Sequence, residues 1–289
     1  MRPLREHIRP CGVIRFKIQN IMIRIENCDN LDLMKSLPSN HIDLIYCDIL
    51  YGTGRNFEDY QDLKPIRSDI EAHYLPRIKE MHRVLKDTGS VYLQMDTRIN
   101  HWVRCLLDDI FGCQNFKNEI AWCYNTQGYS KDKYSSKHDV ILFYSKSKNY
   151  FFNAESIRNK KPSQSTIKRF GKEIQEKGFY VDFKSKKEVS ELKGSLPLDW
   201  IELSVLPSAH SENTGYATQK PKALIERIVK ASSREGDLVG DFYLGSGTTA
   251  EVCQDLSRNF IGCDINPKAV QISKDRLIKH SNLFTSNCG

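Results

Sequence analysis

Long apolar runs are absent from this sequence. The longest stretches, such as Val140 to Tyr144, are far too short to cross a bilayer, so no membrane span is expected. No apolar run follows the basic N-terminus, and Arg15, Lys17 and Arg24 interrupt the region, so a secretory leader is not expected. No two of the nine cysteines (11, 28, 47, 105, 113, 123, 253, 263 and 288) have the C-x-x-C spacing of a zinc knuckle or redox site, and no metal centre is expected. Cys47, Cys123 and Cys263 lie in apolar runs, where a thiol packs as a small hydrophobe. Reduced structural thiols and a cytoplasmic location are the expectation. Charge repeats and low-complexity tracts are missing too. The charge excess is modest: 43 Lys+Arg against 36 Asp+Glu, a formal net charge of +7, is compatible with a polyanionic partner without requiring one.

What is present is a chain of 289 residues, 39% hydrophobic and 27% charged, long enough for one large domain with an insert or for two modest domains. Residues 1–20 read as a basic extension. A strand is expected near Ile21 to Ile25 and a short helix from Leu31 to Leu37. The next strand starts at Ile42 and ends at Asp48. Its apolar run lacks clear alternation, which predicts cover on both faces. Residues 52–68, with Gly52, Gly54 and Pro65, read as a mobile loop. Ile70, Tyr74, Ile78, Met81 and Leu85 fall at helical spacing. A strand from Ser90 to Met95, a helix from Asn100 to Ile110, and strands at Glu119 to Tyr124 and Val140 to Tyr144 follow. Residues 153–211 differ in kind. Lys160, Lys161, Lys168, Arg169, Lys186 and Lys187 are interleaved there with Phe170, Phe179, Tyr180, Phe183 and Trp200. This reads as a small insert, and either a solvated helical surface or a nucleic-acid contact fits the composition. From Pro221 helix and strand alternate again.

The C-terminal strand–turn–helix–strand unit carries the most local information. A strand from Leu238 to Tyr243 leads into Gly245-Ser246-Gly247-Thr248-Thr249, a helix to Leu256, and a strand from Asn259 to Cys263 that ends at Asp264. The glycines permit a tight turn and close backbone approach to a ligand. The helix start offers N–H groups to a carboxylate or phosphate, and an acid at the end of the second strand can accept hydrogen bonds from a ribose diol. A G-x-G turn alone fits a nicotinamide, flavin or S-adenosylmethionine enzyme. The second constellation is Asp48-Ile49-Leu50-Tyr51, an acid and an aromatic at a strand's carboxyl end, where open α/β sheets place ligands.

In these residues the chain resembles the amino-group DNA methyltransferases, adenine-N6 or cytosine-N4, of the permuted β class, in which the catalytic motif precedes the cofactor motif. The family's (D/N/S)PP(Y/F/W) signature corresponds to Asp48-Ile49-Leu50-Tyr51, and its FxGxG signature to Tyr243-Leu244-Gly245-Ser246-Gly247, preceded by Asp241 and Phe242. Met81 to Lys86, Asn115 to Trp122, Lys137-His138-Asp139 and Thr218-Gln219-Lys220-Pro221 are similar as well. Coverage is about residues 24–152 and 212–278.

The resemblance implies an α/β fold: a Rossmann-like seven-stranded sheet, circularly permuted, with 21–152 and 212–289 as the catalytic domain and 153–211 as a target-recognition insert. It implies S-adenosylmethionine as cofactor, held by Asp48, Asp241, Phe242, Tyr243, Gly245, Ser246, Gly247 and Thr248, with Asp264 on the ribose and Cys28-Asp29 at the adenine. Lys220 either contacts the cofactor carboxylate or braces its loop. Asp48 and the backbone of Ile49 and Leu50 would engage the target amine, and Tyr51 would stack on the base.

The partner implied is double-stranded DNA with its target base flipped out. A homodimer and a cognate restriction nuclease are further partners that the resemblance admits. Asp at position 48 favours adenine by family tendency, with cytosine-N4 methylation as the alternative. Ile49 and Leu50 depart from the signature's two prolines, which fix φ and lack N–H donors. A freer loop is therefore expected, and with it the second alternative, a weakly active or inactive DNA-binding relative.

Overall fold

The computed structural model describes residues 13–18, 21–56, 61–159, 164–177, 180–181, 188–189 and 194–286. Cys11, Cys288 and, in the expected insert, Lys160, Lys161, Phe179, Phe183, Lys186 and Lys187 lie outside the described residues. The chain divides into two compact units, Met1–Phe151 with Asp199–Gly289, and Phe152–Leu198.

The larger unit opens with β1 (Val13–Ile18), β2 (Ile21–Asn27), α1 (Asn30–Ser36) and β3 (Ile42–Asp48). Next come α2 (Arg67–Val84), β4 (Leu85–Met95), α3 (Asn100–Phe111), β5 (Phe116–Cys123) and β6 (His138–Ser145). The smaller unit holds α4 (Gln164–Lys177), β7 (Tyr180–Val181) and β8 (Glu188–Val189), the two strands pairing antiparallel. The chain then returns to the larger unit with β9 (Trp200–Glu202), α5 (Lys222–Ser232), β10 (Leu238–Asp241), α6 (Thr248–Asp255), β11 (Asn259–Asp264) and α7 (Pro267–Ser286).

The main sheet runs β1-β2-β11-β10-β3-β4-β6-β5-β9. Its inner seven strands are those expected, and one strand is added at each edge. Strands β2, β11, β10, β3 and β4 are mutually parallel, and β6 runs antiparallel to both neighbours. The added β1 pairs antiparallel with β2, so the described part of the 1–20 extension belongs to the sheet. At the other edge β9 pairs parallel with β5, and the Ala121 N–H donates to the Asp199 carbonyl. These pairings draw Asp199 and Trp200 into the larger unit, so the smaller one ends at Leu198 rather than 211.

The continuous apolar run of β3 is explained by burial on both sides. Ile45 and Cys47 face a core shared with α1, α2 and α3. Leu44 and Tyr46 face a second core with α5, α6 and α7. Two parallel-sheet faces covered by helices leave no polar side for the strand to show. Strand β4 begins at Leu85, earlier than expected, because Leu85 already pairs with Ile42 before a register shift. The seven described cysteines are all free. Among the described residues no helix is long and apolar enough to cross a membrane.

Candidate active site

The sheet's connections reverse between β10 and β3. From β10 the chain crosses through α6 to β11 on one side, and from β3 through α2 to β4 on the other. Crossovers that diverge in this way leave a crevice at the strands' carboxyl ends. Strand β3 ends there at Asp48, β10 at Asp241, β11 at Asp264, and β2 just before Cys28 and Asp29. They line a cavity of about 490 Å³, within the roughly 300–1,000 Å³ of small-molecule sites. Of the fifteen residues expected at the site, all line this cavity except Gly247, the N-cap of α6.

The glycine turn is fixed from several directions. Gly245 (φ +52°) and Gly247 (φ +74°) both adopt the left-handed region, and a Cβ on Gly247 would come within 2.5 Å of Ser273 Oγ. Asp264 accepts from the Gly245 N–H through Oδ2 and from the Asn266 N–H through Oδ1, each at 2.9 Å. The buried Asp241 carboxylate accepts from the Tyr243 N–H (3.0 Å) and the Thr249 hydroxyl (2.6 Å). Burial pushes its carboxyl up to about 7, against the pull of those two hydrogen bonds. Ser246 Oγ lies 3.3 Å from Thr248 Oγ1, whose hydroxyl donates to the Lys220 carbonyl.

Several residues around the turn serve the framework. The Phe242 side chain belongs to the core, and its carbonyl accepts from Asn30 Nδ2. The Tyr243 hydroxyl is 3.2 Å from His73 Nε2, and burial lowers His73 to about 4, with Arg77 adding to the effect, so its ring is neutral at pH 7. Asp29 caps α1 by accepting from the Leu31 N–H and pairs with Arg77 at 2.9 Å. The Cys28 N–H donates to the Asp264 carbonyl.

Asp48 is the centre of the second constellation. Its Oδ2 pairs with Lys220 Nζ, and its Oδ1 lies 2.9 Å from the Tyr51 hydroxyl. Burial raises the Asp48 carboxyl above its ordinary range, while the Lys220 ammonium draws it back. The Tyr51 hydroxyl is also 2.6 Å from Asp139 Oδ2, so its single proton is shared between two acids. Asp139 is buried and receives further hydrogen bonds from the Tyr124 hydroxyl (2.9 Å) and Gln94 Nε2 (3.1 Å). Tyr46 donates to Gln94 Oε1 at 2.8 Å, which orients that amide. A second cavity of about 330 Å³ adjoins the first, with Trp122, Tyr124 and Asp139 in its wall and Tyr51, Tyr216 and Lys220 among the residues that line both.

The loop after Tyr51 is more ordered, where described, than its composition predicts. Asp62 is buried and accepts from the Gly52, Thr53 and Leu63 N–H groups and the Thr53 hydroxyl. Residues 57–60 of that loop lie outside the described residues. Asp62, Asp139, Gln94, Tyr124 and Arg77 were not singled out as site residues in the sequence. The available signal was Gln94, a polar residue inside the apolar strand Val91 to Met95.

The donor set of the larger cavity suits a cationic nucleoside. Asp29, Asp48, Asp62, Asp241 and Asp264 line it, against Lys220 and Arg77 as the cations. This excess of carboxylates attracts a sulfonium and an ammonium and repels the paired phosphates of a dinucleotide. Fold and site together define an open α/β sheet with an acid-rich, nucleoside-sized cavity at its switch point.

The family model described as DNA methylase, of the N6/N4 type, matches residues 42–275. Type II methyltransferase M.HpaI of Haemophilus parainfluenzae is 33% identical over 90% of this chain and 76% of its own length. DNA adenine methyltransferase YhdJ of Escherichia coli K12 is 30% identical over 86% of this chain and 80% of its own. Among solved structures, the cytosine-N4-specific PvuII DNA methyltransferase superposes with a TM-score of 0.64 at 17% identity, over 87% of this chain and 85% of that one. The M1.HpyAVI complex with S-adenosylmethionine does so at 0.57 and 23%, over 89% and 99%. At these identities the structural likenesses establish the fold. The chain belongs to the N6/N4 family of DNA methylases. S-adenosylmethionine is its cofactor.

Proposed function

We propose that this chain is a site-specific DNA adenine-N6 methyltransferase of a restriction–modification system. The observation that carries the reading is the meeting of Asp48 and Tyr51 with the acidic glycine-turn cavity at one switch point. The adenine assignment draws on Asp at position 48 and on the similarity to a DNA adenine methyltransferase. The restriction–modification assignment, and with it a cognate nuclease as partner, draws on relatives named as type II methyltransferases.

In this reading Asp264 and Asp241, with the turn from Tyr243 to Thr248, hold the cofactor, and Cys28 and Asp29 border its adenine. The bound cofactor supplies a methyl group on a positively charged sulfur. The target base leaves the duplex and enters the aromatic-walled second cavity. Tyr51 stacks on it, a contact worth about 1–3 kcal/mol. An exocyclic amine on an aromatic ring is a poor nucleophile because its lone pair is delocalised. Accepting its N–H groups at Asp48 and at the carbonyl of Ile49 pulls the nitrogen toward tetrahedral geometry. Asp48 takes up the proton released on transfer, and alignment of the reacting atoms supplies most of the acceleration. The basic residues of 152–198, Lys168 and Arg169 on α4 among them, contact phosphates around the target.

The test is methyl transfer from labelled S-adenosylmethionine to mixed-sequence duplex DNA. Wild type should label adenine, and Asp48→Ala, which leaves no side-chain acceptor for the amine, should transfer nothing. Label in cytosine would reassign the base, and no label under several salt conditions would defeat the reading. Light scattering of the same preparation reports whether the chain forms a homodimer.

A further inference from the structure

We infer that Tyr74, on α2, is a positioning residue that holds the segment from Asp48 to Tyr51 in its working shape. The inference rests on the methyltransferase reading of that segment. Asp48 and Tyr51 meet through their side chains, but the two residues between them, Ile49 and Leu50, do nothing by themselves to stiffen the backbone. The chain is fixed there by contacts from outside. The Ile49 N–H donates to the Gln94 carbonyl at 3.0 Å, which carries the β3–β4 ladder one residue past Asp48. The Ile49 side chain is 2% exposed, within the α1–α3 core. The Tyr74 hydroxyl donates to the Leu50 carbonyl at 2.8 Å. One residue beyond Tyr51, the Gly52 N–H donates to Asp62.

Tyr74 is out of character with its surroundings. It lies in the buried stripe Ile70, Tyr74, Ile78, Met81 and Val84, where a hydroxyl is costly without a partner. Its ring is 1% exposed and packs edge-on to His73, with centroids 4.8 Å apart. A rigid donor therefore fixes the Leu50 carbonyl, whose peptide plane leads directly into Tyr51. Two proline rings would restrict φ at positions 49 and 50, whereas here a sheet amide and a helix hydroxyl restrict the peptide planes. The freer loop expected from the sequence is thus restrained by groups remote in sequence.

The substitutions that separate these devices differ in cost. Proline at 49 would delete the N–H that bonds Gln94. Among the described residues the Leu50 N–H makes no hydrogen bond, so proline at 50 deletes none and stiffens the segment by another route.

The experiment uses the full chain as wild type, Tyr74→Phe, Tyr74→Phe/Leu50→Pro and Tyr92→Phe. The last is a control that removes an equally buried hydroxyl, bonded to Ser232 Oγ at 2.7 Å in the opposite core. Single-turnover methyl transfer to DNA, S-adenosylmethionine affinity and amide hydrogen exchange of the peptide spanning 48–54 are measured on each. Tyr74→Phe should slow transfer and speed exchange of that peptide by about tenfold each, the effect of one buried hydrogen bond. Cofactor affinity should stay within about twofold. Tyr92→Phe should change neither quantity, and Leu50→Pro should restore both in the Tyr74→Phe background. Unchanged exchange at 48–54 in Tyr74→Phe, or an equal loss of rate in Tyr92→Phe, would overturn the inference. Absence of transfer by the wild type would defeat the function reading instead, and the exchange comparison would still decide the role of Tyr74.

Discussion

Lys220 Nζ lies 2.5 Å from Asp48 Oδ2, although 172 residues separate the two in the chain. The contact follows from the sheet order, which sets β10 beside β3 and brings the segment before α5 over the end of β3. Thr218, at φ +62°, bends that segment, and its carbonyl accepts a second hydrogen bond from the same ammonium. Left-handed backbone at a threonine is uncommon and is held here by the site around it. Lys220 thus bonds both its own loop and Asp48, and its ammonium sets a countercharge beside the buried carboxylate.

Removing that countercharge changes the pH dependence in a defined direction. Burial alone raises Asp48, and Lys220 opposes it. In Lys220→Gln the carboxyl rises further, so a smaller fraction is ionised at neutral pH. The acid limb of kcat should move to higher pH, and kcat at neutral pH should fall, with recovery as the pH is raised. A kcat–pH profile checks this. An acid limb in the variant that coincides with wild type would contradict the role given to the pair.

Asp241 gives a second pH signature. Its carboxyl rises to about 7 in the folded chain, from near 4 unfolded. A raised folded value means that the folded state holds the proton more tightly. Its stabilising contribution is therefore complete below about pH 4 and is lost as pH rises through about 7. Denaturant titrations from pH 5 to 8 should show wild type losing stability relative to Asp241→Asn, by up to about 3 kcal/mol. A cationic cofactor favours the ionised carboxylate, so binding at pH 6 should release a proton, which calorimetry in buffers of differing ionisation enthalpy detects.

The glycine turn separates steric from conformational cost. Gly247 and Gly236 both adopt positive φ, but a Cβ at 247 meets Ser273 whereas at 236 it meets open space. Gly236→Ala should cost about 1–2 kcal/mol of stability and leave cofactor affinity alone. Gly247→Ala should cost more and weaken S-adenosylmethionine binding at least tenfold. Thermal melts and calorimetry on the pair distinguish them.

Tyr51→Ala should lower kcat/KM for DNA by roughly 5- to 150-fold, the equivalent of a lost base stack of about 1–3 kcal/mol. Cofactor affinity should hold. Tyr51→Phe keeps the ring but removes one donor from Asp139, so its loss should be smaller. Steady-state kinetics with DNA varied check both.

Much of this arrangement could be read from the sequence where one local rule dominates. The run Ile42 to Cys47 declared a doubly covered strand, and Gly245 and Gly247 declared a turn, because burial and φ leave short local signatures. Asp139, Gln94 and Tyr124 carry no such local signature. Their importance arises from cross-strand registers between β3, β4, β6 and β5, such as Asp48 opposite Gln94 and Trp122 opposite Asp139. Polar composition in residues 52–68 suggested looseness, but one buried acid, Asp62, organises the described part of that loop. The end of the insert was displaced for a similar reason, since three residues at 200–202 add an edge strand too short to show periodicity.

The most direct test of the central claim is methylation-aware sequencing of DNA from cells expressing this chain, beside cells expressing Asp48→Ala. The account predicts N6-methyladenine at one recurring short sequence in the first and none in the second. Unmodified adenines in cells that contain folded, cofactor-binding wild-type protein would contradict it.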